Sequence, residues 1–264
     1  MSTKKTAKKT AGVIGGLGSL ATAYYFHKVV RLTDAARDQD HVNLVLANQA
    51  DVPDRTEFLL GRSHDDPGPV LARAAQRLAA WPVDLVVVPC NSAQPFVERI
   101  ADTVPVPIVS IVEQTVRAVV ERLPGPGTVG PNRGHPVVGP NRGHPVVGLL
   151  ATEGSIAAGV YRDALAEVGC ATVVPDAAGQ QDVNAIIYDQ VKAGRPVDHL
   201  AFHRVVASLR DAGAQAVVLG CTELSVAYGD HVADPTVVDS LDVLARATIT
   251  LTGCRLKEPA ATAA

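Results

Sequence analysis

The sequence predicts an α/β fold of two pseudo-symmetric lobes, each a mainly parallel sheet flanked by helices, with a candidate active site in the inter-lobe cleft. Three observations support this prediction. Short β-branched apolar runs alternate with segments whose apolar residues recur at helical spacing, which is typical of parallel sheets joined by helices. The same order of segments occurs in both halves of the chain. In each half one apolar run ends in a cysteine, Cys90 in the first and Cys221 in the second.

The first half contains four predicted strands and three predicted helices. The strands are residues 11–15, 42–47, 85–88 and 108–111. The helices are residues 19–37, about 54–60, and 68–80. Asp54 is a candidate N-cap for the second helix, and Pro67 and Pro82 bound the third.

The second half repeats this plan. Its predicted strands are residues 146–150, 171–174, 216–219 and 235–238, and its predicted helices are residues 182–192 and 197–211. Ile14 precedes Cys90 by 76 residues, and Leu149 precedes Cys221 by 72. The similar spacing indicates a duplicated unit with a pseudo-two-fold axis through the cleft. A helix that follows the last strand of each half is expected to cross to the other lobe.

The 264 residues are enough for two domains of about 110–130 residues. We expect residues 1–110 to form the first lobe, beginning with a flexible basic tail at 1–10, and residues 111–239 to form the second. Residues 240–264 should pack back on the first lobe. Residues 129–137 recur unchanged as 138–146, each copy with two Pro and two Gly. This tandem repeat, residues 129–146, is predicted to be a surface loop, because such a segment suits neither a helix nor a central strand.

Composition excludes several classes of function. A net charge of −3 and a pI near 6.2 give no electrostatic surface for nucleic acid. No apolar run approaches the ~20 residues of a membrane span, and the basic N-terminus lacks the apolar region of a signal peptide. The four cysteines show no metal-like spacing, so reduced thiols in a cytoplasmic protein are expected.

Cys90 and Cys221 are each followed by residues that suit the first turn of a helix, Asn-Ser and Thr-Glu. A lone cysteine at a strand end is most often a small core residue. The repetition of the pattern in both halves favours a functional pair, because a helix N-terminus stabilises a thiolate or a bound carboxylate. Two thiols facing one cleft would suit proton transfer on opposite faces of one carbon. Cys170 and Cys254 have no comparable context.

A glycine-containing segment, Gly16-Leu-Gly18-Ser-Leu-Ala21, follows the first strand and opens a helix. Its pattern fits a dinucleotide-binding fingerprint. That fingerprint also requires an acidic residue at the end of the second strand, where this chain has Asn48 and Gln49. We therefore expect the segment to bind a small carboxylate rather than a pyrophosphate.

Six sequence segments together resemble the aspartate/glutamate racemase superfamily, and within it the cofactor-independent aspartate racemases. These segments are residues 15–22, 52–56, 89–93, 149–154, 187–194 and 220–224, and they span nearly the whole chain in order. The resemblance implies an amino-acid racemase, expected as a homodimer, with neither pyridoxal phosphate nor a metal. Cys90 and Cys221 would be the paired catalytic acid and base. The residues that would bind the substrate are Leu17, Gly18, Gln49, Arg55, Asn91, Ser92, Thr152, Lys192, Thr222 and Glu223.

Arg55 and Lys192 bear on the choice of substrate. Taken alone, Arg55 lies at an exposed helix start, and Lys192 lies in a last helical turn, where a cation complements the helix dipole. In aspartate racemases, however, basic residues at both positions bind the side-chain carboxylate, and broad-specificity relatives lack the pair. The resemblance therefore implies aspartate as the substrate. The chain departs from the family pattern at Gln94, where a histidine is usual, and at Ser92, which replaces threonine.

Three functions remain open from the sequence. The first is an aspartate racemase. The second is a racemase of glutamate or of several amino acids, or a relative that uses one cysteine as a decarboxylase or isomerase. The third is a non-catalytic amino-acid-binding protein on the same fold. Retention of both cysteines argues against one-cysteine chemistry, and only exchange of the substrate α-proton separates the third function from the first.

Overall fold

The computed structural model describes residues 8–123, 144–229 and 234–258. Its strands form two parallel four-stranded sheets, which confirms the predicted fold class. The first sheet contains β1 (Thr10–Gly15), β2 (Asn43–Asn48), β3 (Leu85–Val87) and β4 (Ile108–Val109) in the order β2-β1-β3-β4. The second contains β5 (Val146–Leu150), β6 (Ala171–Val173), β7 (Ala216–Leu219) and β8 (Val237–Asp239) in the order β6-β5-β7-β8. The two sheets therefore have the same topology, as expected for a duplicated unit.

Helices connect the strands in both halves. In the first half they are α1 (Ser19–Leu32), α2 (Arg55–Leu59), α3 (Gly68–Ala79), α4 (Gln94–Ala101) and α5 (Ile111–Arg122). In the second half they are α6 (Glu153–Ala157), α7 (Val160–Glu167), α8 (Ala177–Asn184), a π-helix (Ala185–Lys192), α9 (His199–Asp211), α10 (Thr222–Tyr228) and α11 (Ser240–Leu251). Short 3₁₀ helices cover Asp38–Asp40 and Asn91–Ala93.

Local capping explains several differences from the predicted boundaries. The first helix ends at Leu32 instead of residue 37, because Thr33 is extended and bridges to Leu256. The fourth strand ends at Val109, because the Ser110 hydroxyl accepts a hydrogen bond from Glu113 N at 3.1 Å and starts α5. The helix predicted at 182–192 is α8 followed by the π-helix, whose wider turn gives no distinct apolar period in the sequence.

The two sheets share a central hydrophobic core. It combines side chains of β1, β3 and α1 with side chains of β5, β7, α5, α7 and α11. Helix α5 packs on α7 and β8, and α11 packs on α1, so the helix after the last strand of each sheet contacts the opposite half. Separate cores cover the outer face of each sheet. The division of the chain near residue 110 stays a prediction.

Two predicted segments fall mainly outside the described residues. Of the basic tail, residues 1–7 are outside, and Thr10 already belongs to β1. Of the tandem repeat, residues 129–143 are outside, and its final residue, Val146, pairs with Ala171 in the second sheet.

Candidate active site

Cys90 and Cys221 line the same narrow cavity. Cys90 follows β3, and Cys221 follows β7, and these strands hold the same position in their two sheets. Both cysteines have extended backbone, with φ of −156° and −141°, and each stands immediately before a helix. Both residues are buried. The duplicated topology thus brings the two thiols to one cleft.

The Cys221 thiol lies beside a buried acid. Its Sγ donates a hydrogen bond to Glu223 Oε2 at 3.1 Å, and the Thr222 hydroxyl donates to the same oxygen at 3.3 Å. Burial raises the pKa of Cys221 well above its usual value, the negative charge and hydrogen bond of Glu223 raise it further, and the charge of Lys192 opposes them. Cys221 is therefore held in its protonated form in this structure.

The Cys90 thiol has an uncharged neighbour at the equivalent place. Its Sγ lies 3.4 Å from the Ser92 hydroxyl. The intervening Asn91 is tied to the second half of the chain: its Oδ1 accepts from the Tyr161 hydroxyl at 2.6 Å, and its Nδ2 donates to Ser240 Oγ at 3.1 Å. One Nδ2 hydrogen of Asn91 remains available to a ligand.

Arg55 is buried at the start of α2, which does not fit the alternative interpretation of an exposed residue at a helix start. Its guanidinium donates to three main-chain oxygens, those of Val52 at 3.2 Å, Pro53 at 3.0 Å and Leu17 at 3.1 Å. Its Nε is buried without a hydrogen-bond partner among the described residues. The ion pairs found in the described ranges do not include Arg55 or Lys192. A buried cation of this kind favours an anionic ligand.

Lys192 is the last residue of the π-helix and also lines the cavity. Its Nζ lies 4.7 Å from the centroid of the Tyr188 ring. Since Arg55 comes from the first half and Lys192 from the second, the cavity receives one cation from each side. The Lys192 ammonium and the Nε of Arg55 are therefore available to a carboxylate that enters between the two halves.

Other predicted residues lie in or beside the cavity. Leu17, Asn91, Ser92, Thr152, Thr222 and Glu223 line it. The Thr152 hydroxyl is already occupied, because it accepts from Thr56 Oγ1 at 3.1 Å and from Ser155 N at 3.2 Å and donates to Ser155 Oγ at 3.1 Å. Thr152 thereby joins α2 to α6 across the cleft, and its role as a substrate ligand stays a prediction.

Gly18 and Gln49 are not among the residues that line the cavity. Gly18 has φ of 124°, and a Cβ there would come within 2.4 Å of Glu223 Oε1, so a glycine lets the first half approach the acid beside Cys221. The Gln49 side chain donates to Asp51 Oδ1 at 2.5 Å instead of pointing into the cleft. Both remain predictions as substrate ligands.

The sequence interpretation missed several lining residues: Asp54, Thr56, Ser155 and Gly220. A signal for two of them was present. Asp54 was identified as an N-cap, and its carboxylate accepts from Thr56 N at 2.7 Å, which places Thr56 at the cleft edge. No local pattern indicates Ser155, whose position depends on the Thr152 cap.

Within the described ranges, no group of three or more His, Cys, Asp or Glu side chains could hold a metal ion. In the same ranges no helix is long and apolar enough to cross a membrane.

The fold and the cleft together define a class of two-lobed α/β protein with a thiol and a cation contributed by each half. Residues 14–248 match the model of the Asp/Glu/Hydantoin racemase family. The chain belongs to this family.

Individual relatives agree with this assignment. The broad specificity amino-acid racemase RacX of Bacillus subtilis (strain 168) is 24% identical over 246 residues, which are 90% of this chain and 96% of RacX. The aspartate racemase of Picrophilus torridus is 26% identical with a TM-score of 0.74, covering 94% of this chain and 96% of that one. An aspartate racemase homologue from Pyrococcus horikoshii OT3 is 23% identical with a TM-score of 0.68, covering 93% and 99%, and shows the shared fold.

Proposed function

We propose that this member of the racemase family interconverts L- and D-aspartate by proton transfer between two thiols, without pyridoxal phosphate or a metal. The proposal rests on the residues that line one cavity. Two buried cysteines, which follow equivalent strands, line it together with Arg55 and Lys192. Among the described residues, neither cation forms an ion pair. The thiols supply a proton carrier for each face of a carbon, and the cations match a second carboxylate on the substrate.

The reaction moves one proton in each direction. The raised pKa of Cys221 suits it as the proton donor, so Cys90 is proposed as the base in this direction of the reaction. The Cys90 thiolate removes the α-proton from one face, which leaves an enediolate, and the Cys221 thiol donates a proton to the opposite face. Cys90 ends as the thiol and Cys221 as the thiolate, which is the form that processes the other enantiomer.

The α-proton of an amino acid is far less acidic than a thiol, so the enediolate must be stabilised in the cleft. The main-chain N–H groups at the start of α10 have no partner within the helix and lie next to Cys221. The free Nδ2 hydrogen of Asn91 and the Ser92 hydroxyl lie next to Cys90. These donors are proposed to hold the α-carboxylate, while Arg55 and Lys192 hold the side-chain carboxylate.

A second candidate is a racemase of broad specificity, which the match to RacX favours. The two candidates differ in how much turnover depends on the cations. A charge-assisted hydrogen bond contributes about 1.5–3 kcal/mol. Arg55→Ala or Lys192→Ala should therefore lower aspartate kcat/KM by at least about tenfold while affecting a neutral amino acid less.

The test is incubation of the purified protein with each L-amino acid in D2O, with α-deuteration followed by NMR and enantiomers by chiral chromatography. Arg204→Ala is the matched control, because this exposed arginine pairs with Asp182 outside the cavity. No α-deuteration of any amino acid would favour a non-catalytic binding protein. A wild type that prefers a neutral substrate, or equal losses for aspartate and alanine, would favour the broad-specificity racemase. The homodimer and the cytoplasmic location stay predictions.

A further inference from the structure

The π-helix at Ala185–Lys192 carries a tyrosine and a lysine on the cleft side. π-helical turns are rare and often occur at functional sites. Here Lys192 lines the inner cavity that contains both thiols, whereas Tyr188 lines an adjoining outer cavity of about 260 Å³. Thr56 lines both cavities. Tyr188 therefore stands where the outer cavity meets the inner one.

The Tyr188 ring is the contact partner of the Lys192 ammonium. The Nζ atom lies 4.7 Å from the ring centroid, within the range of a cation–π interaction. A second Tyr–Lys pair with the same sequence spacing, Tyr24 and Lys28, differs in the partners of its lysine. In α1, Lys28 Nζ lies 5.0 Å from the Tyr24 centroid but also pairs with Asp239 at 3.3 Å and Asp242 at 3.4 Å. Lys28 already has carboxylate partners, whereas Lys192 has none among the described residues.

Tyr188 faces the opposite half of the chain. It lies near Thr56 of α2, whose hydroxyl donates to Thr152 at 3.1 Å. Burial raises the pKa of Tyr188 to about 12, and the nearby Thr56 hydroxyl opposes this shift. The Tyr188 hydroxyl therefore stays neutral at physiological pH.

We propose that Tyr188 is a positioning residue that determines the preference for a dicarboxylic substrate by holding the Lys192 ammonium at the inner cavity. The proposal rests on the aspartate racemase function proposed above. A lysine side chain that reaches solvent loses rotamer freedom when it binds a ligand. The aromatic face limits that freedom before the substrate arrives, so less is lost when Lys192 contacts the side-chain carboxylate. A neutral amino acid makes no such contact and gains nothing from Tyr188.

The experiment measures kcat and KM for aspartate and for alanine in Tyr188→Leu and Tyr188→Phe. Tyr188→Leu should raise the KM for aspartate about tenfold, with little change in kcat and little effect on alanine. Tyr188→Phe keeps the ring and should retain most of the preference for aspartate. If Tyr188→Leu fails to fold, Tyr188→Met takes its place, since the flexible methionine side chain fills irregular space without an aromatic face. Tyr24→Leu is the matched control and should leave both KM values unchanged.

A double-mutant cycle separates positioning from a merely structural role. In a Lys192→Ala background, Tyr188→Leu should have no further effect on the KM for aspartate, because the group that it positions is gone. Additive losses, or equal losses for aspartate and alanine, would overturn the proposal. Failure of the proposed function is seen in the wild type itself, which would then show no aspartate turnover or would prefer a neutral amino acid.

Discussion

The strand ends at Cys90 and Cys221 are topologically equivalent but chemically different. Two residues after Cys90 stands Ser92, whose uncharged hydroxyl lies 3.4 Å from the thiol. Two residues after Cys221 stands Glu223, whose carboxylate accepts a hydrogen bond from the thiol at 3.1 Å. The duplicated fold places two thiols alike, and one side chain at each end gives them different neighbours. The carboxylate beside Cys221 adds to the effect of burial in raising the pKa of that thiol.

Each strand end is also fastened to the opposite half in its own way. Asn91 makes hydrogen bonds with Tyr161 and Ser240, whereas Glu223 approaches the main chain at Gly18. The position of each thiol therefore depends on the other half of the molecule. A change in the contact between the halves would alter both thiols together.

The largest expected effect comes from removing either thiol. Cys90→Ala and Cys221→Ala should each lower racemisation by at least about a thousandfold, because one face of the carbon then lacks its proton carrier. Each variant should still exchange the α-proton of one enantiomer with solvent, and the two variants should act on opposite enantiomers. Chiral chromatography and NMR in D2O measure both outcomes.

The control for this comparison is Cys254→Ala, since Cys254 is a free cysteine outside the cavity lining. It should racemise at the wild-type rate. Racemisation near the wild-type rate in either Cys90→Ala or Cys221→Ala would refute the two-thiol mechanism.

A smaller effect is expected when only the charge beside Cys221 is removed. Burial is the main cause of the raised pKa of Cys221, and Glu223 adds to it. Glu223→Gln removes the negative charge and leaves the burial, so the pKa should fall without reaching that of a free thiol. The Cys221 thiolate then forms at lower pH. The pH dependence of alkylation by iodoacetamide, mapped by peptide mass, should shift to lower pH at Cys221 and stay unchanged at Cys90.

The equilibrium between L- and D-aspartate limits how Glu223→Gln can change kcat/KM. Two enantiomers have equal free energies in an achiral solvent, so kcat/KM must change equally for L- and D-aspartate at every pH. The asymmetry between the thiols is therefore visible in the alkylation profiles and not in the kcat/KM ratio. An equal shift of both alkylation profiles would mean that Glu223 does not distinguish the two thiols.

Part of this arrangement was predictable from the sequence. The repeated strand-then-cysteine pattern predicts both sheets and the meeting of the thiols, because strand periodicity and duplication are local signals. The burial of Arg55 was not predictable, since it depends on the carbonyl of Leu17, which is 38 residues away. The Asn91 contact with Ser240 spans 149 residues and has no local signature. The contact between Lys192 and Tyr188 lies in a π-helix, whose hydrogen-bond pattern leaves no distinct apolar period.

The smallest expected effect comes from substitutions of Ser92. They test directly whether the residue two positions after each cysteine makes Cys90 and Cys221 differ. Ser92→Ala removes an uncharged neighbour of Cys90 and should lower kcat/KM by a factor of about two to ten, which corresponds to roughly 0.5–1.5 kcal/mol. Ser92→Thr keeps the hydroxyl and serves as the control with near wild-type activity. Ser92→Asp instead gives Cys90 a charged neighbour like that of Cys221, and it should move the alkylation profile of Cys90 to higher pH. If Ser92→Asp leaves that profile unchanged, the side chain two residues after each cysteine does not set the difference, and unequal burial of the thiols becomes the remaining cause.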